Sequence, residues 1–461
     1  MRIVVCIRQS TSGEINPFDA CAYEEALRIH GAEVILLSMC PQKSADFFLG
    51  LTRLGAKKAI LLSDKAFAGS DTLATAYTLS LAIKKLNPDL IFCGRQTVDG
   101  DTGQTGPALS VITGYSLITN VLSLSMLDGK VTCNTRDGEY TSSLPALLTI
   151  ERINNLRLPS IRSRLGEVEI WSAEDLDANI SRCGLPGSPT RVMKTFENTE
   201  GRRHCTFITL SELEGAIISG LQKNENRIPC EPCENKLKRV LCVGEAPLAF
   251  AESVSDDISV LEIDAPHKMA EKIRNFDPSA VLWGSDLESK RIAPQVAAIL
   301  RTGLCADCTR LETDGGDLFM YRPAFSGNII AKIRCETRPA MATVRTAEKE
   351  VSDVIFGLGF GAKDNINEVK ALAEKYNADI CASRKLVDND CAPYEQQVGM
   401  TGKTVSPSVY VAVGISGAVH HLAGIRRAGT IIAINSDKKA PIFEYSDYGI
   451  VCDVSDLSEM L

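Results

Sequence analysis

The 461-residue chain has no apolar run long enough to span a bilayer, which excludes a helical membrane protein. Its opening stretch Met1–Ile7 reads at once as a short strand and lacks the long apolar region and cleavage site of a secretory leader, so a cytoplasmic location is expected. Basic residues are outnumbered 50 to 58, and the formal net charge of −8 disfavours a nucleic-acid partner. Aromatics are sparse at 6% and histidines number five. No Ser-His-Asp or Cys-His arrangement can be assembled, because His30, His204 and His267 lie in helix-end or polar contexts typical of surface residues. The 16 cysteines follow no disulfide-scaffold rhythm, which predicts reduced thiols. Two CxxC pairs, Cys230–Cys233 and Cys305–Cys308, lie far outside finger-like spacing, so they read as free thiols and no metal is expected. With no catalytic residue in view, the chemistry falls to a bound cofactor.

What is present is an alternation of short apolar strands with amphipathic helices. Such alternation predicts an α/β fold with mostly parallel sheets covered on both faces. The length predicts roughly three domains. The expected divisions are a nucleotide-binding domain over 1–185, an arm and linker over 186–236, an α/β domain over 237–347, and a doubly wound cofactor-binding domain over 348–461. Strands are expected at Ile3–Ile7, Val34–Leu37 and Asp89–Cys93. Helices are expected after Asn16-Pro-Phe-Asp19, with Asp19 as N-cap, and after Ser70-Asp71. Gly184, Pro186, Gly187 and Pro189 mark the linker, inside which Leu210–Leu221 reads as one helix.

The most informative segment is Tyr410-Val-Ala-Val-Gly414-Ile-Ser416-Gly417-Ala418-Val-His420-His421, a buried strand entering a glycine loop and a short helix. Gly414 and Gly417 let backbone amides approach an anion, and the two histidines follow within a turn. A second turn of this type, Gly357-Leu-Gly359-Phe360-Gly361, precedes a helix near 366–376. The run Gln397-Val398-Gly399-Met400-Thr401-Gly402-Lys403-Thr404 resembles a P-loop only superficially and is followed by Ser406-Pro407, so it is not an ATPase motif. The Thr401 hydroxyl is suited to meet a ring nitrogen and Lys403 to supply positive potential. Asn435 and Asp453 follow apolar runs, where polar groups suit an adenosine ribose. In the amino-terminal region the loop from Gly94 to Pro107 follows a buried strand. Its Gly100 and Gly103 free the backbone, Thr102, Gln104 and Thr105 can donate to phosphate or ribose, and Asp99 can accept from a ribose hydroxyl.

These motifs, in this order, resemble electron transfer flavoprotein with both subunits fused in one polypeptide. The first ~200 residues resemble the β subunit through Asn16–Asp19, Glu24–Leu27, Gly94–Thr102, Gly106-Pro107 and Gly187–Val192. From about residue 237 the chain resembles the α subunit through Gly303–Thr309, Arg322–Asn328, Arg338–Arg345, Ser383-Arg384, Gln397–Val405, Gly414–His421, Ala433–Asn435, Ala440–Phe443 and Asp447–Val451. The resemblance implies an FAD held by Gly359, Phe360, Ser383, Arg384, Gln397, Val398, Gly399, Thr401, Lys403, Gly414, Ser416, Gly417, Ala418, His420, His421, Asn435 and Asp453. Thr401 would approach flavin N5 and His421 the pyrimidine side. It implies a second nucleotide, FAD or AMP, near Cys6, Asn16, Asp99, Gly100, Thr102, Gly103, Gln104 and Thr105. The loop wording is closer to the two-FAD, NADH-using bifurcating members. The partner implied is an acyl-CoA dehydrogenase-type flavoenzyme, met through Ile161 in the loop Asn154–Arg162.

Two departures stand out. The family's Gly-Arg-Gly is Gly359-Phe360-Gly361 here, which removes an arginine charge from the flavin and puts bifurcation in doubt. The residue before the family histidine is His420, whose imidazole, neutral or protonated, is expected to replace part of that charge. Three readings stay open: an electron carrier, a bifurcating NADH oxidoreductase, and a nucleotide-binding scaffold that has lost electron transfer.

Overall fold

The computed structural model describes the chain apart from residues 136, 152–153, 198–202, 224–232, 326–328, 346–351, 400–401, 404, 427 and 461. Two compact units divide it. The first comprises Met1–Thr195, Cys230–Phe325 and Ile330–Thr346, and the second Phe196–Pro229, Ser326–Ile329 and Ala347–Leu461.

Uninterrupted apolar runs such as Ile3-Val4-Val5 must be covered on both faces, and they form the centre of a nine-stranded sheet. Its order is Gly138–Ser143, Lys130–Thr135, Ser116–Leu127, Ala146–Ile150, Leu90–Gly94, Arg2–Cys6, Glu33–Met39, Lys58–Leu62 and Glu167–Trp171. The strands from Ser116–Leu127 onward pair in parallel, while the two at the other edge add an antiparallel meander. Connectivity reverses between Arg2–Cys6 and Leu90–Gly94, so the loops leaving their carboxyl ends diverge around a crevice.

Helix Pro17–Arg28 corrects one expectation. Proline takes its first position and Asn16 the cap position, so Asp19 lies inside the first turn. The Asp19 carboxylate is buried and accepts from the backbone N–H of Arg8 (2.8 Å) and Gly94 (3.2 Å), tying both crevice loops to the helix. Asp71 does cap helix Thr72–Leu86, accepting from the N–H groups of Leu73 and Ala74 at 3.0 Å. Such a cap contributes about 1 kcal/mol.

The same unit carries a parallel five-stranded sheet in the order Ile258–Leu261, Val240–Val243, Ala280–Trp283, Ala340–Val344, Leu304–Cys308. Beside it is a small sheet built on the antiparallel hairpin Arg310–Asp314 and Asp317–Ala324, whose Gly315-Gly316 turn has positive φ at both residues.

The second unit is a six-stranded sheet in the order Thr206–Phe207, Tyr448–Ile450, Thr430–Ile434, Val409–Val413, Val354–Leu358, Asp379–Ala382, all parallel. Its switch point falls between Val354–Leu358 and Val409–Val413. The arm expected as a linker is structurally part of this unit. Thr206–Phe207 adds an edge strand, and helix Leu213–Lys223 buries Leu213, Ala216 and Ile217 in the core. Arg203 pairs with Asp447 and donates to the Gly429 carbonyl at 2.9 Å.

Candidate functional site

The loops after Val354–Leu358 and Val409–Val413 meet at the switch point. Gly359 N–H donates to the Val413 carbonyl (2.7 Å) and Gly361 N–H to the Gly414 carbonyl (3.1 Å). Gly414 has φ +64°, and a β-carbon there would lie 2.7 Å from the Ala362 nitrogen. Gly417 has φ +89°, and its β-carbon would lie 2.2 Å from the Ile442 nitrogen. Both positions therefore require glycine, and the loops touch backbone to backbone. The helix that follows, Val419–Ile425, has seven residues. Ser416 and Ala418 sit exposed on the rim. Asn435 stays on the rim as well, its side chain donating to the Ile415 carbonyl at 2.9 Å.

Residues 397–399 and 403 are tied together by backbone hydrogen bonds. Val398 N–H donates to the Ala382 carbonyl (2.9 Å), Lys403 N–H to the Gln397 carbonyl (2.8 Å) and Gly399 N–H to the Lys403 carbonyl (3.1 Å). Gln397 and Val398 are buried and Lys403 is exposed. Thr401 lies outside the described residues.

His421 is 6% exposed, and its Nε2 lies 3.0 Å from the Tyr410 hydroxyl. Its Nδ1 is buried without a hydrogen bond of good geometry. Burial pushes its pKa down to about 4, with the Val398 backbone acting weakly the other way, so the ring is neutral near pH 7. Ser383 Oγ is a second buried atom without a hydrogen-bond partner among the described residues. Arg384 pairs with Asp388 at 3.2 Å.

The surroundings qualify three expectations. Burial of part of the ring and then the Arg384 charge lower the His420 pKa below the ordinary value, which disfavours its protonated form. Phe360 is not bare of charge: Lys385 Nζ stands 4.2 Å and Lys363 Nζ 5.2 Å from its ring centroid. Asp453 is exposed, and one of its carboxylate oxygens, Oδ1, accepts from the N–H (3.0 Å) and hydroxyl (2.7 Å) of Ser455 as a local cap.

A backbone cradle beside two buried orphan polar atoms, rimmed by Lys363, Lys385 and Lys403, fits an elongated anionic dinucleotide. Comparison with known families is decisive. The electron transfer flavoprotein domain matches residues 3–176 and 266–374, and the electron transfer flavoprotein FAD-binding domain matches 349–426. The chain belongs to the electron transfer flavoprotein family. Relatives cover its two parts separately. The electron transfer flavoprotein subunit alpha of Thermoanaerobacterium thermosaccharolyticum is 37% identical over 232 residues, covering 40% of this chain and 70% of that protein. Subunit beta of Clostridium acetobutylicum is 39% identical over 231 residues, covering 47% and 89%. Protein FixA of Azorhizobium caulinodans is 36% identical over 245 residues, covering 48% and 87%. This flavoprotein is thus a fusion of β-like and α-like parts, and its FAD-binding match includes the glycine cradle.

The crevice of the amino-terminal domain is built differently from its expected reading. Asn16 is buried and braces the loop, donating to the Gln96 carbonyl (2.9 Å) and accepting from Val98 N–H (3.2 Å). Asp99 accepts from Thr11 N–H (3.2 Å) and hydroxyl (3.3 Å) and faces Arg8 at 3.7 Å. Those contacts hold the loop rather than leave Asp99 free for a ribose. Gly100 N–H donates to the Thr97 hydroxyl (3.3 Å), Gly103 has φ +64°, and Thr105 opens helix Thr105–Thr113. Gln104 is buried and donates to the Leu304 carbonyl at 3.3 Å, while Thr102 is half-buried. Cys6 and Cys93 sit side by side at the strand ends. The Cys6 thiol beside it, and then burial, raise the Cys93 pKa well above the ordinary value.

Sequence reasoning missed Arg322 as a site residue. It is 6% exposed, and its Nε and Nη2 have no hydrogen-bond partners among the described residues. Burial raises the nearby Asp101 carboxyl to about 6, with the Arg322 and Arg345 charges opposing. The signal was present: Arg322 occupies the apolar register of Asp317–Ala324, in line with Leu318, Met320 and Ala324. Cys305 and Cys308 lie buried in a strand, and among the described residues no cluster of metal-ligating groups occurs. Cys230 lies outside the described residues.

Proposed function

We propose that this protein carries electrons through one FAD held by loops 359–361, 397–403 and 414–421, exchanging them with an acyl-CoA dehydrogenase-type partner. The observation that supports this most is the glycine-only approach of Gly414 and Gly417 within the matched FAD-binding region. When bound, the flavin supplies reversible one- and two-electron chemistry. The chain's own residues do the rest. Backbone N–H groups of the 414–417 loop favour phosphate oxygens, the buried ring of His421 offers a donor, and Lys363, Lys385 and Lys403 make the local potential positive, which favours added negative charge. Apolar side chains such as Val398 and Ile415 exclude water, which strengthens each polar contact.

The amino-terminal crevice, with Gly103, Gln104, Thr105 and the buried Arg322 cation, is read as a second nucleotide site for FAD or AMP. A bifurcating function with two FADs and NADH as donor is the second reading. The loop sequence Gly100-Asp101-Thr102 followed by Gly106-Pro107 favours it, and Phe360 argues against it. Ile161 is 100% exposed and Leu158 89%, so two apolar side chains stand at one loop, as a partner-binding anchor would.

Counting nucleotides per purified chain tests all of this. One FAD with AMP supports the carrier, and two FADs bleached by NADH support bifurcation. A colourless polypeptide that takes up no added FAD overturns the reading and leaves the scaffold alternative.

A further inference from the structure

The loop 154–166 contains neither helix nor strand, yet its base is bound to two buried carboxylates. Glu24 and Glu25 sit side by side in helix Pro17–Arg28 and are buried. Glu24 takes Arg157 at three points. Arg157 Nε donates to Oε2 (2.9 Å), Nη2 to Oε1 (2.8 Å), and the Arg157 backbone N–H to Oε2 (3.1 Å). Arg28, one turn along the helix, donates to Glu24 Oε1 at 3.2 Å. Glu25 accepts from the Asn154 side chain at 2.6 Å. The far end of the loop is tied as well, Gly166 N–H donating to the Thr52 hydroxyl at 2.8 Å. Between the two ends a turn is closed by Ser163 N–H on the Ser160 carbonyl (3.0 Å).

A carboxylate withdrawn from water needs donors, and a guanidinium fork on both oxygens supplies them in a fixed direction. Burial pushes the Glu24 carboxyl upward, but the Arg157 and Arg28 bonds outweigh it and leave its pKa below the ordinary value, so the pair is ionic at neutral pH. Arg157 is gripped by both its side chain and its backbone N–H, which sets the chain direction there. The neighbouring side chains are sorted accordingly: Leu156 packs against the core, while Leu158 and Ile161 stand in water. The helix is itself held at its other end, where Asp19 binds the Arg8 and Gly94 N–H groups. Apolar side chains left in water add no hydrophobic stabilisation to this chain, and they gain it when a second surface covers them. We propose that Glu24 and Glu25 are positioning residues for docking: they hold the loop in its binding shape before contact, so that Leu158 and Ile161 enter a partner without a first ordering step. The docking role of the loop rests on the partner reading above, whereas its preformed shape does not.

Two measurements on the full chain separate the loop from the exchange. Trypsin cleavage after Arg162 and Arg164 reports the loop. Glu24→Gln and Arg157→Gln are each expected to speed that cleavage by about tenfold or more, as opening of the loop becomes easier. The double variant should add little to either, as members of one pair do. Arg157→Lys keeps the charge but lacks the fork, so it should restore only part of the protection. The Arg157 side chain is 43% exposed, so Arg157→Gln carries the test if Glu24→Gln, at a buried position, does not fold. Electron exchange is followed between FAD-loaded protein and a purified acyl-CoA dehydrogenase reduced by its acyl-CoA substrate. There the variants should raise the KM for the flavoprotein by about tenfold with kcat unchanged, because the ordering of the loop then falls on the binding step. A merely structural pair would lower the unfolding midpoint and leave that KM, per folded protein, where it was. Unchanged cleavage in both single variants, or faster cleavage with an unchanged KM, overturns the proposal. If the unmodified protein exchanges no electrons with the dehydrogenase, the partner reading alone falls, since the cleavage rates still decide whether these carboxylates hold the loop.

Discussion

Gly414→Ala is the sharpest test of the cradle. The residue holds φ +64°, where an L side chain costs roughly 1–2 kcal/mol. The new methyl group would also stand 2.7 Å from the Ala362 nitrogen and 2.8 Å from the Gly361 carbonyl carbon. Both obstacles are backbone, so no rotamer change relieves the contact, and the loops must separate. Forced overpacking of this kind costs roughly 1–3 kcal/mol. The total, roughly 2–5 kcal/mol, can be expressed in either of two ways. If the loops stay closed, it appears as lost stability, on the order of 5–20 °C in the unfolding midpoint of this domain. If they open, folding is spared and FAD binding weakens, by roughly 30-fold to several thousand-fold.

Flavin-fluorescence titration and thermal unfolding of the same samples separate the two. Gly215→Ala is the matched control: it lies in helix Leu213–Lys223, and a β-carbon there meets nothing within 4 Å. That substitution should leave FAD affinity unchanged and stabilise by roughly 0.5–1 kcal/mol. The reasoning fails if Gly414→Ala keeps both the FAD affinity and the unfolding midpoint of the unmodified chain.

Two further outcomes follow from the first unit. Burial raises the Asp19 carboxyl to about 7 from 3.8, so its stabilising protonated form is fully present below the unfolded value and is lost as pH rises through 7. Denaturant titrations should therefore show the unmodified domain losing roughly 2–3 kcal/mol between about pH 5 and pH 8 relative to Asp19→Asn, and equal slopes with pH in the two proteins would contradict it. Ile161→Asp, at a fully exposed position, should change stability by less than about 0.5 kcal/mol yet weaken electron exchange with a cognate dehydrogenase at least about tenfold; unchanged exchange would remove Ile161 from the partner surface.

Much of the architecture was legible because strands buried on both faces announce themselves. Val34–Leu37, Leu90–Cys93 and Tyr410–Val413 are apolar without interruption and lie at sheet centres. The meander Ser116–Ser143 was not legible, since its outer strand Gly138–Ser143 is mostly exposed and has no apolar face to read. Polar residues were harder. Asn16, Asp19 and Asp99 were identified as important by position, but their side chains serve the loop backbone, because a crevice made of diverging loops leaves N–H groups that must be satisfied internally. The arm was read as a linker because its glycines and prolines outweigh a short helix in sequence. Only the pairing of Thr206–Phe207 with Tyr448-Gly449 shows that it is a sheet edge.

Position 360 shows why a lost charge cannot be judged from one residue. The sequence replaces the family arginine with phenylalanine, yet the fold brings two ammonium groups to that ring, Lys385 at 4.2 Å and Lys363 at 5.2 Å. They differ from a buried guanidinium in one respect that can be measured: both lysines are exposed to solvent. Exposed charges act through water and are screened by salt, whereas a charge in a dry pocket is screened much less. In FAD-loaded protein, raising salt from about 20 mM to about 0.5 M should shorten the Debye length enough to weaken their pull and lower the flavin midpoint potential. The double variant Lys363→Gln, Lys385→Gln should start at the lower value and respond little to salt. A potential that ignores both salt and the double substitution would mean the ammonium groups serve only to cover the Phe360 ring, and that the charge deleted at this position has no replacement from these two lysines.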